Sequence, residues 1–161
     1  MIRRTFVLSA ASVSLVPSLA RAADTVGGRF IAQHKDAKLA FVSAYDAGKD
    51  NIVIVATEKD HSASKTPARD AEFSMFGSAV TISLAKPSGA VSEVQLVNAG
   101  FPQSPVTVAG GIKGVDVKFP GDRVEGRFTS NGGKSMFEGK PYEVTFDVDL
   151  QVSVQVRPKM A

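Results

Sequence analysis

The sequence predicts an all-β fold, a single-domain antiparallel β-sandwich of immunoglobulin-like or related type with about eight strands and one short helix. Three observations predict it. Runs of four to nine residues rich in Val, Ile, Phe and Thr recur along the chain, broken at short intervals by Gly, Pro, Asn or Asp. From Tyr142 to Arg157 apolar and polar residues alternate without exception, the period-two signature of a strand with one covered face. Beyond residue 22 only one short segment has helical character, and about 139 residues suffice for one core.

Residues 1–22 read as a cleavable export signal. Arg3 and Arg4 form a basic start, Phe6 to Val16 are apolar or small, Pro17 breaks the run, and Ala20-Arg21-Ala22 fits the small-x-small cleavage pattern. The expected cut lies between Ala22 and Ala23, leaving one domain over 23–161. Arg3-Arg4-Thr5-Phe6 resembles the twin-arginine signal of bacteria, although many general-secretion leaders also begin with two basic residues, so the route stays open. The expected address is the periplasm or the exterior of a bacterium.

The leader also settles the charge. The chain has Lys+Arg 19 against Asp+Glu 16 and a pI near 9.3, but three of the arginines lie in the leader, leaving 16 positive and 16 negative charges in residues 23–161. A neutral domain has no net field to attract a phosphate backbone, so no nucleic-acid partner is expected. There is no cysteine, which excludes disulfides, thiolate metal sites and a Cys nucleophile. No later stretch has the roughly 18 consecutive apolar residues of a membrane helix, so no integral membrane segment is expected once the signal is removed.

The elements follow in chain order. Arg29–Gln33 and Lys38–Tyr45 are strands, the latter closed by a turn through Asp46–Asp50. Asn51–Thr57 contains four consecutive apolar residues, Ile52 to Val55, which predicts a central strand covered on both faces. Glu58–Gly77 interrupts the pattern. Thr66-Pro67 can start a short helix through Ala68–Phe76, with Phe73 and Phe76 docking it and Gly77 closing it. Ala79–Ala85 and Val91–Val97 form a hairpin about Lys86-Pro87-Ser88-Gly89. Ile112–Phe119 and Arg123–Thr129 form another about Pro120-Gly121-Asp122, with Val115, Val117 and Phe119 sharing a face. The final run, about 50 Å long at roughly 3.3 Å per residue, exceeds the width of so small a domain and must bend or bulge to serve two sheets.

Chemistry-bearing residues concentrate in Asp60-His61-Ser62-Ala63-Ser64-Lys65, and Asp60, His61, Ser62, Ser64 and Lys65 are the candidate site. A loop of this composition also forms local turn hydrogen bonds and nothing more. Ser62-x-x-Lys65 has the spacing of Ser/Lys acyl enzymes such as penicillin-binding proteins, but the companion motifs are missing and the chain is too short for that fold. His34 and His61 show no ligand spacing, and Met75, Met136 and Met160 are scattered, so no metal is expected. Asp147-x-Asp149 reads as a polar sheet face matched across the strands by Lys or Arg. Asn131–Ser135 resembles the end of a phosphate loop but lacks its first glycine and its helix, and reads as a turn.

No catalytic, cofactor-binding or metal residue is therefore assigned, and no cofactor is expected. The functional expectation is a non-enzymatic binding or interaction module of the bacterial envelope, its partner an unidentified protein or small molecule. The alternative is a small envelope hydrolase using the Asp60–Lys65 loop, with His61 as base and Ser62 or Ser64 as nucleophile. The two diverge on geometry: an enzyme needs His61 in a concavity within hydrogen-bond reach of a serine or an acid.

Overall fold

A computed structural model of the chain describes residues 23–108, 110–130, 134–137 and 140–156, in backbone only over 134–137 and 140–142. The expected leader up to Ala22, the expected turn at 131–133 and the end from Arg157 lie outside the described residues, as do the side chains of Met136 and Tyr142. The described strands are β1 (Thr25–Ala32), β2 (Lys35–Ala37), β3 (Phe41–Gly48), β4 (Asn51–Thr57), β5 (Ala79–Ala85), β6 (Ala90–Val97), β7 (Val106–Val108), β8 (Lys113–Lys118), β9 (Arg123–Thr129), β10 (Lys134–Phe137) and β11 (Lys140–Val156). The helix is α1 (Pro67–Glu72).

The all-β expectation holds, but the strands form one curled sheet, a half-barrel, instead of the two facing sheets of a sandwich. Its order is β2-β1-β11-β3-β4-β5-β6-β7, with β9 also paired to β11 and β8 to β9. The difference originates in β11. Along Val144–Gln151 it pairs antiparallel with β1, over Asp147–Ser153 its other edge pairs with β9, and Val154–Val156 then pair parallel with Ala44–Asp46 of β3. The long strand does serve two groups of strands, as its length requires, but it stays hydrogen-bonded throughout, so the ladder never divides.

Where β11 passes from β1 to β3 the ladder leaves a gap, and a side chain fills it. Asp24 Oδ1 accepts the Ser153 N–H at 2.8 Å and the Ser153 hydroxyl at 2.9 Å, and Arg123 of β9 donates to the same carboxylate oxygen at 3.4 Å. A buried strand N–H must find an acceptor, and here a carboxylate supplies it.

The concave face carries the core. Phe30, Ile54, Ile82, Leu84, Leu96, Phe128, Phe146 and Leu150 are all buried, and the Phe30 and Phe146 rings meet edge to face at 5.7 Å. In β11 the predicted alternation is kept from Val144 to Val152, then ends: Ser153 is buried and Val156 is exposed once the strand leaves the curl. In β8 it is interrupted by a bulge between Val115 and Lys118, with Asp116 at φ 53, so Val115 faces solvent while Val117 packs on the core. β4 is central and covered on both faces, as expected: Ile52 and Ile54 face the concave core, Val53 and Val55 the convex side.

The cover on the convex side is the Glu58–Gly77 insertion. Its ends are zipped together by Glu58 N–H to Ser78 O (2.9 Å) and Lys59 N–H to Phe76 O (3.0 Å), prolonging the β4–β5 hairpin. Between them α1 starts at Pro67 as predicted but stops at Glu72, short of Phe76. Ala68 and Ala71, with Phe76 beyond the helix, pack on Tyr45, Val53, Val55, Ala79 and Val97. Phe73 is 69% exposed and does not dock. The chain reverses at Ser74 (φ 59) and Gly77 (φ 74), and that reversal brings Phe76 back onto the sheet.

Candidate functional site

The register of β3 on β4 decides which side chains lie beneath the insertion. Phe41, Ser43 and Tyr45 share the convex face with Val53, Val55 and Thr57, and Ser43 lies opposite Val55. His61, four residues after Thr57, folds back onto this face and is 4% exposed. Its Nδ1 is 2.5 Å from Thr57 Oγ1 and its Nε2 is 2.8 Å from Ser43 Oγ. The Phe76 ring stands 5.8 Å away and closes the remaining side.

A groove of about 330 Å³ opens beside this contact. Ser43, His61, Ser62, Ser64 and Asp60 line it on the sheet and loop side, and Asp24 and Gln155 line it at the seam between β1, β11 and β3. Phe41, Val42 and Pro67 supply apolar wall. Four of the five residues singled out from sequence thus meet at one surface. The fifth, Lys65, is exposed and does not line the groove.

The loop serines are bound elsewhere. Ser64 donates to Asp70 Oδ2 at 2.6 Å, and the Ser62 backbone N–H donates to Asp60 Oδ1 at 2.8 Å, with the Ser62 side chain also bonded to that carboxylate. These bonds hold the Asp60 carboxyl below its ordinary value, the Ser62 N–H having the largest part. Ser64 N–H donates to His61 O and Thr66 N–H to Ser64 Oγ, so the loop is a chain of local turns. The serine against the imidazole is Ser43, on a strand. Burial pushes the His61 imidazole below its ordinary value, opposed in part by the Asp60 charge, and the ring is therefore neutral at pH 7.

The other sequence candidates do not join this site. His34 sits exposed in the two-residue turn between β1 and β2. Asp147 is held by Arg127 across the strands through two contacts of 2.6 Å, the cross-strand match expected for that face. Among the described residues no three His, Asp or Glu side chains converge as a metal site would require. Also among the described residues, no helix is long and apolar enough to cross a membrane. Ser43 and Thr57 were invisible as site residues: alternation places both on one strand face, but nothing in the sequence says that His61 returns to it. No protein-family model, curated protein or solved structure matches the chain.

Proposed function

We propose that the chain is an exported protein of the bacterial envelope, periplasmic or secreted, and that its half-barrel is a binding module for a small polar ligand. The leader pattern of residues 1–22 supports the address. The groove of about 330 Å³ supports the binding role. It is concave, combines an apolar wall with converging hydroxyl, imidazole and carboxylate groups, and has one wall fixed on strands and the other on a loop whose polar groups are already bonded. Thermal-shift screening of small polar compounds tests it. A ligand at a hundred times its Kd stabilises by about 2.7 kcal/mol. Such a ligand should raise Tm in the wild type and not in Ser62→Trp, whose indole fills the groove. Equal shifts in both proteins, or none across a broad set, would count against the reading.

A second reading, hydrolysis in the same groove, is favoured by one observation: Ser43 Oγ lies 2.8 Å from His61 Nε2. It keeps His61 as base and moves the nucleophile from the loop to the strand.

A further inference from the structure

The geometry points to Ser43 as an acyl-accepting nucleophile with His61 as its general base, acting on esters of small carboxylic acids; this assignment rests on the hydrolytic reading of the groove. Proton bookkeeping carries it. A threonine hydroxyl has one hydrogen, and Thr57 gives it to the Lys59 carbonyl oxygen at 2.7 Å. The contact between Thr57 Oγ1 and His61 Nδ1 must then have the nitrogen as donor. With the proton of the neutral ring on Nδ1, Nε2 holds a lone pair, and the Ser43 hydroxyl donates to it at 2.8 Å. Lys59 O, Thr57, His61 and Ser43 thus form a directed relay that ends on a basic nitrogen facing a hydroxyl at the groove. A nucleophile, its base and a group orienting the base is the arrangement acyl transfer needs.

The step balances with water as the only co-reactant. Ser43 Oγ bonds to the acyl carbon while its proton passes to His61 Nε2. The carbon–oxygen bond to the alcohol breaks, and the Nε2 proton leaves with the alcohol. Water then gives a proton to Nε2 and bonds to the acyl carbon, and the acid departs as that proton returns to Ser43. The loop limits the substrate. Its N–H groups at Ser62, Ser64 and Thr66 donate within the loop and are not available to a developing oxyanion. Thr57, a neutral hydroxyl, stabilises an imidazolium less than a carboxylate does. Both facts favour esters with good leaving groups over amides.

The test treats the whole chain with p-nitrophenyl acetate and a fluorophosphonate, followed by intact mass and peptide mapping. A single adduct on Ser43 is expected, with a labelling rate that rises with pH as His61 loses its proton. The charges facing that ring are Asp60 on its own loop and Asp24, paired with Arg123, across the groove, while Ser43, Thr57, Phe76 and Gln155 contribute none. General-base catalysis contributes about 10²–10⁴-fold, so His61→Gln should slow labelling at least about 100-fold. Thr57 is a positioning residue: Thr57→Val should slow labelling and move the midpoint of its pH profile, and Thr57→Ser should restore both. Absence of a Ser43 adduct on the folded wild type overturns the assignment, as does an unchanged rate in folded His61→Gln. Ester turnover that survives Ser43→Ala overturns Ser43 while leaving hydrolysis standing. A stable Ser43 adduct without turnover supports the nucleophile and removes the hydrolytic reading.

Discussion

At the scale of single residues, a neutral buried imidazole makes stability depend on pH. His61 is held below its ordinary value by burial, so between that depressed value and the ordinary one near 6.5 the unfolded chain binds a proton that the folded chain does not. Its contribution is complete above about pH 6.5 and is lost as pH falls toward the folded value. Asp46, Asp60 and Asp147 are also shifted downward, by the Lys86 side chain, the Ser62 N–H and Arg127 respectively, and their contributions fade only near and below about pH 4. Urea unfolding at pH 7 and pH 5 should show wild-type stability falling across this interval and His61→Gln, which has no proton to take up, losing less; identical losses would contradict the assignment. Two adjacent glycines make a second residue-scale prediction. A Cβ on Gly28, at φ +121, would lie 2.1 Å from the Asp147 carbonyl oxygen, whereas a Cβ on Gly27 would meet nothing within 4 Å. Gly28→Ala should cost about 2 kcal/mol or more and Gly27→Ala less than about 0.5, measured by urea denaturation. In the sequence the pair is only a weak spot for a strand. Which glycine is indispensable depends on how closely β11 approaches, and single-residue propensities carry no such information.

At the scale of elements, the junction of β1, β11 and β3 turns on Asp24. Removing its carboxylate leaves the Ser153 N–H and hydroxyl without that acceptor in a buried stretch of strand. Asp24→Ala should destabilise by roughly 1–3 kcal/mol, the range for taking an acceptor from a buried donor, and Asp24→Asn by less, because an amide oxygen still accepts. Equilibrium unfolding of the two variants checks the order; equal losses would mean that the charge and not the acceptor matters. The sequence announces some elements clearly because their local signals agree. The β5–β6 and β8–β9 hairpins are bounded by Pro and Gly at their turns, and β11 by uninterrupted alternation. β2 and β7 are three residues each, too short for period two to register. The helix start is legible in Thr66-Pro67, while its end after Glu72 follows from Phe76 being drawn onto the Tyr45–Val55 face, a tertiary pull. The site divides the same way. A loop crowded with Asp, His and Ser marks one wall of the groove, but the second wall, with Ser43 and Asp24, is created by folding.

At the scale of the whole molecule, the class of fold was readable and its closure was not, because alternation states which residues are covered and leaves open what covers them. A sandwich and a half-barrel present the same covered set. They differ in whether β11 carries the ladder on from β1 to β3, which the parallel step onto β3 decides. That topology makes a prediction about cooperativity. The β3–β7 meander is built from local hairpins, whereas β1 pairs with β11 across more than a hundred residues of chain, as at Thr25 and Gln151. Two such groups, whose strand ladders meet among the described residues at Val154–Val156, could melt separately if that ladder alone joined them. The concave core is continuous across the junction: one cluster contains Phe30, Phe128 and Phe146 from one group and Ile54, Ile82 and Leu96 from the other. Apolar burial supplies most of the favourable free energy of folding, so the shared core and not the short ladder should set the cooperative unit. Scanning calorimetry of residues 23–161 should therefore give one transition, with calorimetric and van't Hoff enthalpies equal and a value of about 100 kcal/mol at roughly 0.7 kcal/mol per residue. Val152→Ala, a fully buried change at the junction, should lower that single Tm without splitting it. Two resolved transitions, or a van't Hoff enthalpy near half the calorimetric one, would mean that the β3–β7 meander and the β1–β9–β11 group fold as separate units.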